Sequence, residues 1–389
     1  MDALDPARMA AREALLLELT QIPTAAGHED RVIAFVDRWI ASRADRVESM
    51  RDDVGNTIIR QRRGGDARPV LVTAHLDHPA FVVTGRAGDG VVELEFRGGV
   101  NDPYFVGSAI ELVGPGDHRA RAVIESLDAD AKPFKRVTAR PGAGEAALPE
   151  WCAAGSIARW AFPRAEIADG LVHTDACDDL AAAAAALCAL DELLDAPGCG
   201  HVGLLFTVAE EVGFLGTIHA ARSGFIPREA RLLCLENSRS FPHDSPIGAG
   251  AILRVGDRIS VFSPGLTNRL AELFGHESKS DPTFRWQRKL MAGGACEATA
   301  FASYGYESTC LCLPLGNYHN MADIDGVAAG AERAHVAREH VAVADFHSLV
   351  RMIGVAARGL DSAPAETTEQ LMERLYAERS SVLRRDRGT

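Results

Sequence analysis

A mainly parallel α/β sheet flanked by helices, with an inserted small β-barrel, is the fold class this 389-residue sequence predicts. Three observations carry that prediction. Four short, nearly all-apolar runs recur along the chain, as expected of strands buried on both faces of a parallel sheet. Helical patterns lie between them. Between about 81 and 171 the texture changes to short alternating stretches cut by Gly, Pro and Asp, the mark of a small barrel or sandwich.

Taken in order, residues 8–20 and 28–42 carry apolar positions at helical spacing. NTIIRQ after Gly55 reads as a strand, and the Arg-Gly-Gly-Asp stretch at 63–66 as a turn. PVLVTAH at 69–75 is the first apolar run; VGLLFTV at 202–208, ARLLCL at 230–235 and TCLCLP at 309–314 are the others. The insert at 81–171 interrupts them with VVELEF, AIELV, RAVIES and IARWAF. Asp178-Asp179 opens an alanine-rich helix, with the acids satisfying free N–H groups at its start and Pro197-Gly198 marking its end. A further helix is expected over 332–358, stopping at Gly359. After Pro364 the charged stretch TEQLMERLYAERSSVLRR reads as a docked or partner-binding helix. The expected organisation is a discontinuous unit of residues 1–80 plus 172–360, the β-rich insert at 81–171, and a helical tail at 361–389.

A formal net charge of −13 argues against wholesale nucleic-acid binding, which draws on a basic surface, and against attraction to an anionic membrane. The N-terminal stretch mixes acids with bases and lacks a clean apolar core, so no secretory signal is expected. No run approaches the length that spans a bilayer. The eight cysteines include no CxxC pair, and several sit inside apolar runs, as buried reduced thiols of a cytoplasmic protein do.

The chemistry is carried by position. In open α/β sheets, ligands bind beyond the carboxyl ends of the strands. PVLVTA runs into His75-Leu76-Asp77, VGLLFTVA into Glu210-Glu211, ARLLCL into Glu236, and TCLCLP leads to His319. Each is a metal-competent residue, and four such coincidences are hard to attribute to chance. His75 and Asp77, two apart in an extended segment, project to one side, so the carboxylate can fix the imidazole or support it. Glu210 and Glu211 point apart, as one ligand and one free base would. Three carboxylates (Asp178, Glu211, Glu236) and two neutral imidazoles around two divalent ions leave one positive charge, which a bridging hydroxide would cancel. That donor set suits zinc, cobalt or manganese. Glu210 is the candidate general base.

These motifs resemble the tetrahedral-aminopeptidase, glutamyl aminopeptidase-like family of dinuclear zinc metallopeptidases. The resemblance runs from about Leu17 to Val350. VTAHLDHPAF is similar to the family's His-x-Asp motif, TDACDDLAAAAAA to its bridging-aspartate motif, FTVAEEVGFLGT to its Glu-Glu segment, LENSRS to its third carboxylate, and LGNYHNM to its last histidine. LTQIPTAAGHEDRVIAFV, DDVGNTIIR, GAGAILRVGDRI and MAGGACEATAFASYG resemble further family segments. The resemblance implies a zinc-peptidase-like α/β/α sandwich with a β-barrel insert. It also implies that His75 and Glu236 hold one ion, Glu211 and His319 the other, that Asp178 bridges, and that Asp77 orients His75. The expected activity is aminopeptidase action on peptides with Glu210 as base, in a homo-oligomer, either a dimer or a dodecamer.

The sequence departs from the family pattern in places. His78 stands where Glu is usual, Leu180 where Arg often follows the Asp pair, Glu236 where Asp is more usual, and Cys-Glu-Ala at 296–298 replaces Thr-Asp-Ala. His319 lies in GNYHN rather than an Arg-Tyr-x-His-Ser-Pro context. These cleft changes motivate a second reading, a dinuclear amidohydrolase or deacylase acting on a small non-peptide amide. A third reading is a catalytically silent scaffold. His78 is a candidate extra ligand or proton shuttle, and His173 and Asp175 are candidates for the cleft rim. His219, His335, His340 and His347 fall in helical patterns with no role expected.

Overall fold

A computed structural model describes residues 5–142, 147–362 and 368–383. Residues 1–4, Pro364 and Arg384–Thr389, which entered the readings of the two ends of the chain, lie outside the described residues. The chain opens with α1 (Pro6–Leu19) and α2 (Asp30–Ala41), a hairpin of β1 (Val47–Arg51) and β2 (Thr57–Gln61), and then β3 (Val70–His75). Six strands follow: β4 (Ala80–Ala87), β5 (Val91–Arg97), β6 (Ala109–Val113), β7 (Arg119–Asp128), β8 (Lys135–Pro141) and β9 (Ile157–Trp160). After β10 (Glu166–Ala168) and β11 (Leu171–Thr174) come α3 (Leu180–Leu193), β12 (Val202–Thr207), α4 (Leu215–Ser223) and β13 (Arg231–Arg239). Next are β14 (Ala251–Arg254), α5 (Pro264–Ser280), β15 (Trp286–Lys289), α6 (Glu297–Ser303) and β16 (Glu307–Leu315). The last elements are α7 (Ile324–Ala328), β17 (Glu339–Ala342), α8 (Val343–Gly359) and α9 (Thr368–Arg379).

The eight-stranded sheet has the order β1-β2-β12-β3-β13-β16-β14-β15. Its four middle strands, β12, β3, β13 and β16, are mutually parallel. They are the four apolar runs. Every residue of β3 and β12 is buried, as strands covered by helices on both faces must be. One core packs α1, α2, α3, α5 and α8 against one face of the sheet, and a second packs α4 and α6 against the other. The alanines explain the depth of α3. Ala181–Ala186 are wholly buried, and their small side chains let the helix lie against α1, α8 and the sheet at once.

The six strands β4–β9 close into a barrel of order β4-β5-β8-β7-β6-β9, antiparallel at every pairing. Its core is aromatic. Phe81 meets Phe96 and Trp160 edge to face at 4.8 and 4.9 Å, the geometry that ring quadrupoles favour. The barrel is also plugged from outside its own stretch of chain. Met321 is buried in its core, and the Tyr104 hydroxyl donates to the Ala322 carbonyl at 2.7 Å.

Three expectations need correction. The helix expected over 332–358 begins only at Val343, because Glu339–Ala342 pair as β17 with β11 and His335 lies in irregular chain. The alanine helix stops at Leu193 rather than at Pro197-Gly198. The strand built on the third apolar run continues beyond it: β13 pairs with β16 as far as Arg239, so Glu236 sits within a strand and not past its end. β1 was missed because four of its five residues face solvent. At the tail, α9 fully buries none of its residues; Leu371 and Leu375 are half-buried, and Met372 and Tyr376 are exposed.

Candidate metal centre

The parallel strands aim their ends at one place. β3 stops at His75, and Thr207, the last residue of β12, lies beside it in register. The backbone then turns through Ala209 at φ +51° and delivers Glu210 and Glu211. β13 brings Glu236, and the segment after β16 turns through Asn317, His319 and Asn320, all at positive φ, to present His319. Left-handed backbone at residues other than glycine costs on the order of 1–3 kcal/mol each and persists only where neighbours over-determine it. The neighbours here are visible. The Gly99 carbonyl, on the barrel, accepts from His319 Nδ1 at 2.6 Å, and Glu339 accepts the His319 N–H.

Asp178 is the centre of the arrangement. Its Oδ1 faces His75 Nε2 at 3.4 Å, and its Oδ2 faces His319 Nε2 at 3.5 Å. Glu236 lies 3.9 Å from His75 Nε2, and Glu211 3.4 Å from His319 Nε2. The result is two imidazole–carboxylate groups joined by one carboxylate. Glu210 Oε2 is 3.9 Å from His75 Nε2 and completes the ring of acids. All six side chains line one cavity of about 920 Å³. Asp77 stands behind: its backbone carbonyl accepts from His75 Nδ1 at 3.2 Å, its Oδ1 lies 3.5 Å from the same nitrogen, and its two carboxylate oxygens accept the N–H groups of Glu210 and Glu211 at 2.9 Å each. The seven residues given metal or catalytic roles from the sequence therefore come together at one place.

Charge makes the site unusual. Burial raises Glu211 to about 8 and Glu236 to about 7, and raises Glu210 well above the ordinary carboxylate range, with neighbouring carboxylates adding to the effect in each case. Burial opposes charging His319, yet Glu211 and Asp178 outweigh it and lift the imidazole to about 10. His75 is raised in the same way by Glu210 and Asp178. Asp178 is depressed against the desolvation it suffers, because both histidines face it. Carboxylates crowded this closely require cations, either protons or metal ions. The donor set fits metal: ligand atoms of His75, Asp178 and Glu236, and of Asp178, Glu211 and His319, lie within 4.8 Å of one another. Asp178 Oδ1 is buried and accepts no hydrogen bond.

The other candidates fall outside the site. His78 does not line the cavity. Its Nδ1 is 2.5 Å from the Asp178 carbonyl and its Nε2 3.0 Å from Asn320 Oδ1, so neither ring nitrogen is directed to a ligand. Asp175 pairs with Arg159, and His173 faces His340 across β11 and β17; neither reaches the cavity. His219 and His347 are helical, as the pattern suggested, whereas His340 lies in β17.

Three residues of the site escaped the sequence reading. Asp179 does not cap α3 with its side chain; its carboxylate accepts the His75 N–H and the Asn237 side-chain amide. Glu339 holds two loops together. Arg254, 3% exposed, lines the cavity; its guanidinium donates to Ser238 Oγ at 3.2 Å and to the Gly256 and Met291 carbonyls at 3.4 and 3.5 Å, and it forms no ion pair among the described residues. Its segment was singled out, but a strand arginine gives no signal of where its guanidinium ends.

Comparison with known proteins gives the family and the fold. A model of the family described as M42 glutamyl aminopeptidase matches residues 55–332. The fold is shared with the Pyrococcus horikoshii TET1 peptidase, reported to assemble into a tetrahedron or a large octahedral shell, at 21% identity and a TM-score of 0.67 over 89% of this chain and 99% of that one. A TET aminopeptidase from a marine sediment archaeon of the Thaumarchaeota matches at 18% identity and a TM-score of 0.70, covering 94% and 99%. An M18-family aminopeptidase of Thermotoga maritima matches at 15% and 0.63, covering 92% and 98%. No curated protein sequence matches.

Proposed function

Since the chain belongs to the M42 glutamyl aminopeptidase family, we propose that it is a metal-dependent aminopeptidase removing N-terminal residues from peptides. His75 and Glu236 would hold one divalent ion, Glu211 and His319 a second, and Asp178 both. The single observation that carries this reading is the placement of Asp178, with one oxygen toward each histidine and one of them lacking any hydrogen bond. Zinc fits the donors best, with cobalt or manganese as substitutes. Two such ions would lower the pKa of a bound water and would polarise the carbonyl to be cleaved.

The chain's own residues do the rest. Glu210 lines the cavity beside His75, and no donor among the described residues is committed to its carboxylate. It takes the proton of the attacking water and returns it to the departing amine. Asp77 orients the His75 ring and fixes the turn that carries Glu210. Arg254 supplies a buried positive charge to the cavity, which supports a preference for an acidic N-terminal residue, in keeping with the family's description. The surplus of carboxylates around it would favour a substrate's free ammonium group.

The proposal extends to organisation. Residues 1–80 and 172–360 form the catalytic unit, 81–171 the insert and 361–389 a tail, in a cytoplasmic homo-oligomer. The assemblies reported for the Pyrococcus relative support self-association. Light scattering is expected to give a mass well above that of the 41.6 kDa chain, and a monomer would refute it. The activity is tested with protein reloaded with zinc, cobalt or manganese and presented with aminoacyl chromogenic amides and short peptides. Metal-dependent release of N-terminal residues is expected. No turnover with two ions bound would sink the reading and leave acylated non-peptide amides as the substrates to try.

A further inference from the structure

Glu339 lies beyond the stretch matched by the family model, on β17, and is wholly buried. No cation pairs with it among the described residues. Its two oxygens go to two different loops: Oε1 accepts the N–H of His319 at 2.8 Å, and Oε2 accepts the N–H of Asp178 at 3.0 Å. β17 is itself fixed by pairing with β11, where Glu339 stands opposite Thr174. The carboxylate is thus a rigid spacer between two backbones whose side chains face each other at 3.5 Å, Asp178 Oδ2 to His319 Nε2. The His319 backbone is in the left-handed region, so without a partner for its N–H this conformation loses one of the contacts that impose it.

We propose that Glu339 is a positioning residue for the His319 side of the centre, holding that imidazole against Asp178 and so setting the affinity of the ion that His319, Glu211 and Asp178 would share. The proposal rests on the dinuclear reading above. The Asp179 carboxylate plays the matching part on the other side, accepting the His75 N–H at 3.2 Å, so loss of the Glu339 contacts, one to His319 and one to the shared Asp178, should weaken the ion on the His319 side far more than its neighbour. A glutamine cannot substitute. It has one acceptor oxygen, and its NH₂ would face an N–H of one of the two loops.

A matched control exists in the same chain. Asp345, also wholly buried, accepts the N–H groups of Gly248 and Gly250 at 2.7 Å each, and it does not line the cavity. Full-length wild type, E339Q, E339D and D345N would be stripped of metal and titrated with Co²⁺, following ions bound per chain and the visible ligand-field spectrum, with circular dichroism to confirm folding. Wild type and D345N are expected to bind two ions with the same spectrum, D345N melting at a lower temperature. E339Q is expected to keep one tight ion, to bind the other about 10–100-fold more weakly, the usual consequence of losing an outer contact to a ligand, and to show an altered spectrum. E339D keeps both acceptor oxygens on a shorter stem, and an intermediate loss is expected; it carries the test if E339Q does not fold. Two ions bound as in wild type by a folded Glu339 variant would overturn the proposal, and so would an equal loss in D345N. Wild-type uptake of fewer than two ions would remove the dinuclear premise and the proposal with it.

Discussion

Glu210 and Arg254 share one cavity, and each makes a distinct prediction. Glu210→Gln removes the only proton acceptor assigned to catalysis while keeping shape and burial. The expected outcome is a fall in kcat of about 10²–10⁴-fold with metal content unchanged, the range lost with a general base. An equal fall in bound metal would instead make Glu210 a ligand. Arg254→Met is expected to reduce kcat/KM for glutamyl and aspartyl substrates by about 10–100-fold, as loss of a charge-assisted hydrogen bond does, and to leave neutral residues nearly unaffected. A uniform loss would refute the specificity role. Six of the seven core residues were legible because each sits at or near the end of an apolar strand run, where side-chain chemistry and position agree, and Asp178 was legible as an acid opening the alanine-rich helix. Asp179, Glu339 and Arg254 were not legible for a common reason. Asp179 and Glu339 spend their oxygens on groups of residues far away in sequence, and Arg254 crosses the cavity wall from inside a strand.

Among the elements, the strands beneath the site were the easiest to foresee and the chain around His319 the hardest. Four continuous apolar runs specify buried parallel strands whatever surrounds them. Residues 332–358 carry a helical pattern, but Glu339–Ala342 find partners in β11, and pairing with a distant strand overrides local periodicity. The positive-φ turn at Asn317–Asn320 has no glycine to announce it. The alanine helix α3 makes the prediction at this scale. Ala185 is wholly buried between helices and sheet, so Ala185→Leu forces extra volume into a filled space. Urea unfolding should report a loss of about 1–3 kcal/mol or more from such overpacking. No loss would mean that α3 lies less tightly against its neighbours than its burial indicates.

Across the whole molecule the centre is where sandwich and barrel meet, since a barrel carbonyl, that of Gly99, orients His319, and Met321 anchors the same segment in the barrel core. The folded protein therefore confines many acids around few cations, and metal should govern its stability. In metal-free protein the folded pKa values of Glu211, about 8, and Glu236, about 7, exceed their unfolded ones, as do those of Glu210 and of His319, about 10. The folded state then binds more protons than the unfolded state, so stability falls as pH rises through roughly 4.5 to 8. Asp178, shifted the other way, contributes a constant term in that window because it is ionised in both states. Melting of stripped protein should drop from pH 5 to pH 8, and zinc should restore most of the loss at pH 8; a stripped protein more stable at pH 8 would contradict this. The most direct test of the central claim is turnover of glutamyl and other aminoacyl amides measured beside metal content in the same samples of wild type and Glu210→Gln. The account predicts two ions per chain in both proteins and release of the N-terminal residue about 10²–10⁴-fold slower in the variant than in wild type. Two bound ions in wild type with no release from any aminoacyl substrate, or equal release by the variant, would contradict it.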